Sequence, residues 1–300
     1  SGARFVVRHP PLLHCAPWRR QVCVQKSSRC SPFGGGLMGA VRSRRLAAGE
    51  RLGCVIDIET VPDPDVVGLA PRGAVVGRAR RLTHRAVCAT LLSFAERESD
   101  GSLRCLGMRT LTLERMAEGP LLGEIDTLLP DPESAGSMLV TYAGGMHDMA
   151  VLRQRAMRLW MFDVPRLRGW SERHERHHDM MYAYGPRAPH PSLAEVSALI
   201  GADLAGSRSS DPATRWIERG DWAPVVKRNR SDVCATFLAY AYWAAWRRGS
   251  ELPVATAWTV LSRLIVAQGD RGNDLRRFSS HHLVGFAADW LAARTAAAAA

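Results

Sequence analysis

An α/β fold is predicted for this chain by three observations. Short apolar runs of strand length occur from residue 53 onward, amphipathic stretches of helix length follow, and turn residues punctuate the two. Residues 53–58 read as a buried strand. Residues 86–94 (Ala-Val-Cys-Ala-Thr-Leu-Leu-Ser-Phe) and 103–111 read as two more, joined by a polar turn through Ser99, Asp100 and Gly101. A helix is expected over 113–129, stopped by Pro130. Residues 138–142 (Met-Leu-Val-Thr-Tyr) form a fourth strand, and a Gly144-Gly145 turn leads into an amphipathic helix over 146–160.

Further on, Ser192-Leu193-Ala194-Glu195 has the spacing of a capping box and opens a short helix ending near Gly201. A long helix is expected over 223–248, with Val226, Val233, Phe237 and Tyr240 on one side. Helices over 254–268 and 281–294 close the chain, ahead of a terminal alanine run. The expected organisation is a basic arm over 1–50, one domain over 51–250 and a helical C-terminal extension over 251–300. No internal repeat is visible.

Three hundred residues, 46% hydrophobic and 23% charged, have the balance of a soluble globular protein with a core that needs no staples. No apolar stretch reaches membrane-spanning length. The seven cysteines form no C-x-x-C pair, which signals neither a disulfide framework nor a zinc knuckle and makes a reducing, cytoplasmic setting the expectation. The net charge is +11, but residues 1–50 carry nine Arg and Lys against one acid, Glu50. Most of the basicity therefore belongs to the arm. That arm contains Pro10-Pro11 and Gly34-Gly35-Gly36, lacks periodicity and has the composition of disorder. Its Arg-rich, acid-poor character is also that of an organellar transit peptide, and Met38 is an alternative natural start. The charge permits a nucleic-acid partner without requiring one.

The most informative residues are Asp57-Ile58-Glu59-Thr60. Alternation on a strand puts Asp57 and Glu59 on one face, where two carboxylates repel unless a cation lies between them. Two further acids stand at element edges: Asp148, opening the helix after the fourth strand, and Asp232, flanked by apolar residues within the long helix. An inward-facing acid is costly unless paired or metal-bound. Four carboxylates from a strand and two helices have the donor chemistry for Mg²⁺ or Mn²⁺, and two such ions suit phosphodiester hydrolysis.

Asp57-Ile58-Glu59-Thr60-Val61-Pro62-Asp63 resembles the first motif of the DEDD superfamily of 3′–5′ exonucleases. It is closest to the bacterial group related to the proofreading domain of family B DNA polymerases. Asp148-Met149-Ala150-Val151-Leu152 with Arg155-Ala156 is similar to the second motif, and Asp232-Val233 with Thr236 to the third. His178-Asp179-Met180-Met181 and the helix from Ser192 to Gly201 match segments of the same group. The resemblance runs from about residue 53 to 250. It implies a ribonuclease H-like mixed sheet flanked by helices, and a two-metal exonuclease releasing nucleoside monophosphates. Asp57, Glu59, Asp148 and Asp232 would hold two Mg²⁺ or Mn²⁺. Thr60, Arg155 and Arg228 would contact the nucleic acid, expected to be single-stranded DNA.

Three departures stand out. The superfamily's water-handling Tyr or His, four or five residues before the third-motif acid, is here Arg228 or Lys227. Arginine stays protonated and cannot act as a base. The polar residue usual before the second motif is Ala143, and the usual aromatic is His147. Either metal alone activates the water, or a residue such as His147 does, or turnover is weak. The alternative is a nucleic-acid-binding module of the same fold that does not cut. His174-Glu175-Arg176-His177-His178 has the order of a zinc-protease motif, which would require a helix and a third ligand; none is evident. The nine tryptophans read as packing, and Arg153, Arg155 and Arg158 as a solvated helix face or a phosphate track.

Overall fold

The central strand, β1 (Glu50–Pro62), is twice as long as its apolar run. Its antiparallel neighbour β2 (His84–Arg97) runs beside it along the whole length, so polar residues at both ends are drawn into the ladder. β3 (Leu103–Thr112) pairs antiparallel with β2. On the other side β4 (Ser137–Thr141) lies parallel to β1, and β5 (His177–Asp179) parallel to β4. The sheet is mixed, in the order β3-β2-β1-β4-β5. The structure is a computed structural model that describes residues 46–69, 82–171, 173–202, 213–269 and 275–299, all within the compact unit Ser43–Ala300. Residues 1–45 of the expected basic arm lie outside the described residues; β1 itself begins at Glu50, inside the range assigned to that arm.

Helices α1 (Pro64–Leu69), α2 (Glu118–Leu128), α3 (Asp148–Arg158), α4 (Pro165–Gly169), α5 (Met180–Tyr184), α6 (Leu193–Leu199) and α7 (Ala213–Glu218) precede the long α8 (Trp222–Arg248). After it come α9 (Leu252–Ala267), α10 (Arg276–Ser279) and α11 (His282–Ala299). The helix expected from residue 113 starts five residues later, because Leu113 still donates to the carbonyl of Val87 beside β2. Its end before Pro130 is as expected: Leu129 is extended, as a residue preceding proline prefers. The capping box at Ser192 and Glu195 is formed in both directions.

Strand alternation sorts β1 onto two cores. Cys54, Ile56 and Ile58 pack with α2, α3 and α4 around Leu121, Met149, Leu152 and Trp170. Val55 points to the opposite face, where Phe94, Met138 and Val140 meet α8 and α9. Gly53 lies opposite Phe94 in the ladder, and a Cβ there would stand 2.2 Å from that ring. The sheet needs a glycine at this position to seat Phe94 against Phe237 and Tyr240.

One expectation is corrected here. The long helix was expected to show one apolar side, yet every residue of α8 from Val233 to Ala241 is buried. The sheet covers one side and α9 the other, so this stretch is enclosed all round. The C-terminal helices also bond to the sheet: Thr256 Oγ1 accepts from Leu103 N, and Gln268 Nε2 donates to the carbonyl of Met108. Cys54, Cys88, Cys105 and Cys234 are buried. Among the described residues no helix is long and apolar enough to cross a membrane.

Candidate metal centre

The pairing of β1 with β4 ends at Val55, while β1 runs on to Pro62. Beyond Val55 the strand therefore borders a gap at the C-terminal end of the two parallel strands. This is also where the sheet order turns from β2 on one side to β4 on the other, the place at which open α/β sheets form crevices. Asp57 and Glu59 share the parity of Val55 and face α8. A register shift between Glu59 and Thr60 ends that alternation.

Asp232 of α8 meets them: one carboxylate oxygen from each of Asp57, Glu59 and Asp232 lies within 4.8 Å of the others. Asp148, the first residue of α3, lies outside this group but near enough for its charge to act on Asp57 and Asp232. Burial pushes the Asp57 carboxyl well above its ordinary range, and the charges of Asp148, Asp232 and Glu59 push it further. Asp232 is pushed up to about 7, by burial first and then by Glu59, with Arg228 opposing. Burial also raises Asp148, whose Oδ1 takes a 3.1 Å contact from His147 Nδ1. Its Oδ2 is buried with no hydrogen-bond partner among the described residues.

Such a cluster is electrostatically expensive as it stands. An all-carboxylate donor set and a buried, unpartnered carboxylate oxygen fit a hard divalent cation such as Mg²⁺ or Mn²⁺. Asp57, Glu59, Asp232 and Asp148 are the residues that would hold it.

The structure also shows what answers the charge from the protein side. Arg228, one turn before Asp232, grips Glu59 with both ends of its guanidinium: Nε to Oε1 at 2.7 Å and Nη2 to Oε2 at 2.6 Å. Its guanidinium also lies 5.0 Å from the ring centre of Trp216 on α7. Asn229 Nδ2 donates to Asp57 Oδ2 at 2.6 Å. A cavity of about 480 Å³ opens beside the acids, walled by Glu59, Thr60, His84, His147 and Arg228 among others. Thr60 Oγ1 and His84 Nδ1 are 3.0 Å apart on that wall.

Arg155 has a different place from the one expected. It is 4% exposed, and its guanidinium donates to Glu118 at 2.6 and 2.7 Å and to Asp63 at 2.6 Å. These contacts knit α3 to α2 and to the end of β1 rather than face a nucleic acid. The histidine string fails the zinc motif on geometry. Residues 174–178 are turn and strand, not helix. His174 lies on Trp170, His177 engages Thr141 and Ser171 through its two nitrogens, and His178 packs on Tyr240 and Trp243. Among the described residues no histidine belongs to a cluster able to hold a metal.

Two contributors were missed by sequence reasoning. Asn229 contacts an acid 172 residues away in the chain, which no local pattern reveals. Asp179 accepts from the backbone nitrogens of Ala143, Gly145 and Met181, fixing the loop that delivers Asp148. Its signal was present in the His178-Asp179 segment without a role attached. Ala143 takes a left-handed φ of 58° in that loop, and a Cβ on Gly144 would stand 2.4 Å from Thr141. The loop is therefore held tightly against the end of β4.

Compared with known proteins, the chain matches no family model and no curated protein.

Proposed function

We propose that the protein is a metal-dependent 3′–5′ exonuclease of the DEDD type on a ribonuclease H-like scaffold, working in the cytoplasm. It would remove nucleoside monophosphates from the 3′ end of nucleic acid, with single-stranded DNA as the expected substrate. The observation that carries this reading is the convergence of Asp57, Glu59 and Asp232 within 4.8 Å, with Asp148 beside them. Mg²⁺ or Mn²⁺ held there, two ions by the superfamily resemblance, would lower the pKa of an attacking water and neutralise the phosphoryl group. Asp57 and Asp232 would hold such cations, and Asn229 fixes the Asp57 carboxylate by its bond to Oδ2. His147 is on the cavity wall and bonded to Asp148, in place to take a proton from water. Thr60 and Arg228 share that wall and would meet the terminal nucleotide.

The test is digestion of 3′-labelled single strands with Mn²⁺. Stepwise shortening by the wild type, abolished in Asp57→Ala, is expected. The second reading, a module that binds nucleic acid without cutting, is favoured by one contact: Arg228 occupies both oxygens of Glu59. Retained binding with no cleavage by the wild type would replace the first reading by the second.

A further inference from the structure

We infer that this centre takes one divalent cation rather than two, because Arg228 supplies the second positive centre from the protein itself. The inference rests on the metal reading above and replaces its two ions by one. Four carboxylates could in principle balance two divalent ions. Here the donors are unequally committed. Both oxygens of Glu59 are engaged by Arg228 in a planar, two-point contact, the geometry in which an Arg–carboxylate pair is strongest. Oδ2 of Asp57 is engaged by Asn229. The least committed donors are Oδ1 of Asp57, the Asp232 carboxylate and, beside the three-acid group, the buried Oδ2 of Asp148.

That set is the size of one cation's protein ligand group, since Mg²⁺ keeps several waters and takes few carboxylates. A second ion on Glu59 would have to displace the guanidinium and then sit beside it, two like charges at a few ångströms. The Trp216 ring, 5.0 Å from the Arg228 guanidinium carbon, adds a cation–π contact that resists that displacement. Glu59 and Arg228 both line the cavity, so the guanidinium faces the space that a phosphate would enter. There its fixed positive charge would stand in for that of an ion near a phosphate. The residue that interrupts the family pattern is thus read as a built-in cation, not as a lost base.

The experiment counts ions in the full chain with MnCl₂, by calorimetric titration and by the electron paramagnetic resonance signal of free Mn²⁺, without substrate. One ion per wild-type chain and two per Arg228→Gln chain are expected, with Arg228→Lys staying at one. Two ions in the wild type overturn the inference while leaving the metal reading standing. So does a count of one in both wild type and Arg228→Gln. No binding by any of the chains overturns the metal reading itself, and the inference with it. Should Arg228→Gln fail to fold, as judged by circular dichroism, the wild-type count decides alone.

Discussion

Asn229 donates its side-chain amide to Oδ2 of Asp57 at 2.6 Å, and its carbonyl takes the thiol of Cys88 at 3.5 Å. A wholly buried amide thus links α8, β1 and β2 beneath the acids. Neighbours on one helix divide the work: Arg228 holds Glu59 and Asn229 holds Asp57.

Replacing Asn229 by Leu strands the Asp57 oxygen without a donor. The expected cost is about 1–3 kcal/mol, the usual desolvation penalty of an orphaned buried polar group. Urea unfolding in EDTA measures it. Added Mn²⁺ should recover part of the loss, because a cation answers the same charge. A variant whose stability is unmoved by Mn²⁺ while the wild type gains would show that Asn229 is needed to shape the centre.

The repulsion among the acids has a definite sign with pH. Asp57 and Asp232 sit above their unfolded values, so the folded chain binds more protons than the unfolded one and loses stability as pH rises. In EDTA, Asp57→Asn removes part of that burden and should be more stable than the wild type at pH 8. The gain should shrink toward pH 4, where the carboxyl becomes protonated in the unfolded chain as well as in the folded one. In Mn²⁺ the order should reverse. Equal stability of the two chains in EDTA across this range would refute the electrostatic account.

Arg155 should behave as a structural cation. Burial alone would raise the Asp63 carboxyl, but the hydrogen bond and charge of Arg155 hold it below its ordinary value. Arg155→Met leaves Glu118 without its guanidinium and Asp63 with only the looser Arg158 contact at 3.6 Å, and is expected to cost about 3–5 kcal/mol. Thermal unfolding reads this directly. A variant that melts like the wild type but binds single-stranded DNA more weakly would instead return Arg155 to the substrate surface.

His178 predicts an acid-side effect. Burial lowers its imidazole to about 4, against the pull of Glu96, so between the unfolded value near 6.5 and that pH only the unfolded chain is protonated. Stability falls through that window as pH falls. Relative to His178→Phe, the wild type should lose roughly 3 kcal/mol between pH 7 and pH 4. Parallel stability curves for the two chains would contradict the burial of the ring between Tyr240 and Trp243.

Much of this was legible in the sequence because it is local. The apolar centres of β1, β2, β3 and β4, the capping box at Ser192 and the stop at Pro130 depend on neighbours a few residues away. The acids too could be named, since Asp57 and Glu59 sit two apart on a strand and Asp148 and Asp232 open or line helices. What could not be read was long-range. β5 is three residues long and becomes a strand only because β4 lies beside it. The grip of Arg228 on Glu59 and the burial of Arg155 are decided by packing between distant elements, not by composition. Enclosure of α8 follows from α9 folding back over it, which no single-helix pattern encodes.

The loop that carries Asp148 hangs from Asp179, and Asp179 belongs to the shortest strand, at the edge of the sheet. Two of the three acids that meet at 4.8 Å come from the most deeply laddered strand, whereas the fourth acid depends on a strand with three ladder positions. Edge segments with few ladder bonds open at lower free energy than the global transition. Fraying of β5 should therefore loosen the loop ahead of Asp148 while Asp57, Glu59 and Asp232 stay in register. Amide exchange at Ala143 and Gly145 should be faster than at Val55 and Ile56, and added Mn²⁺ should slow it.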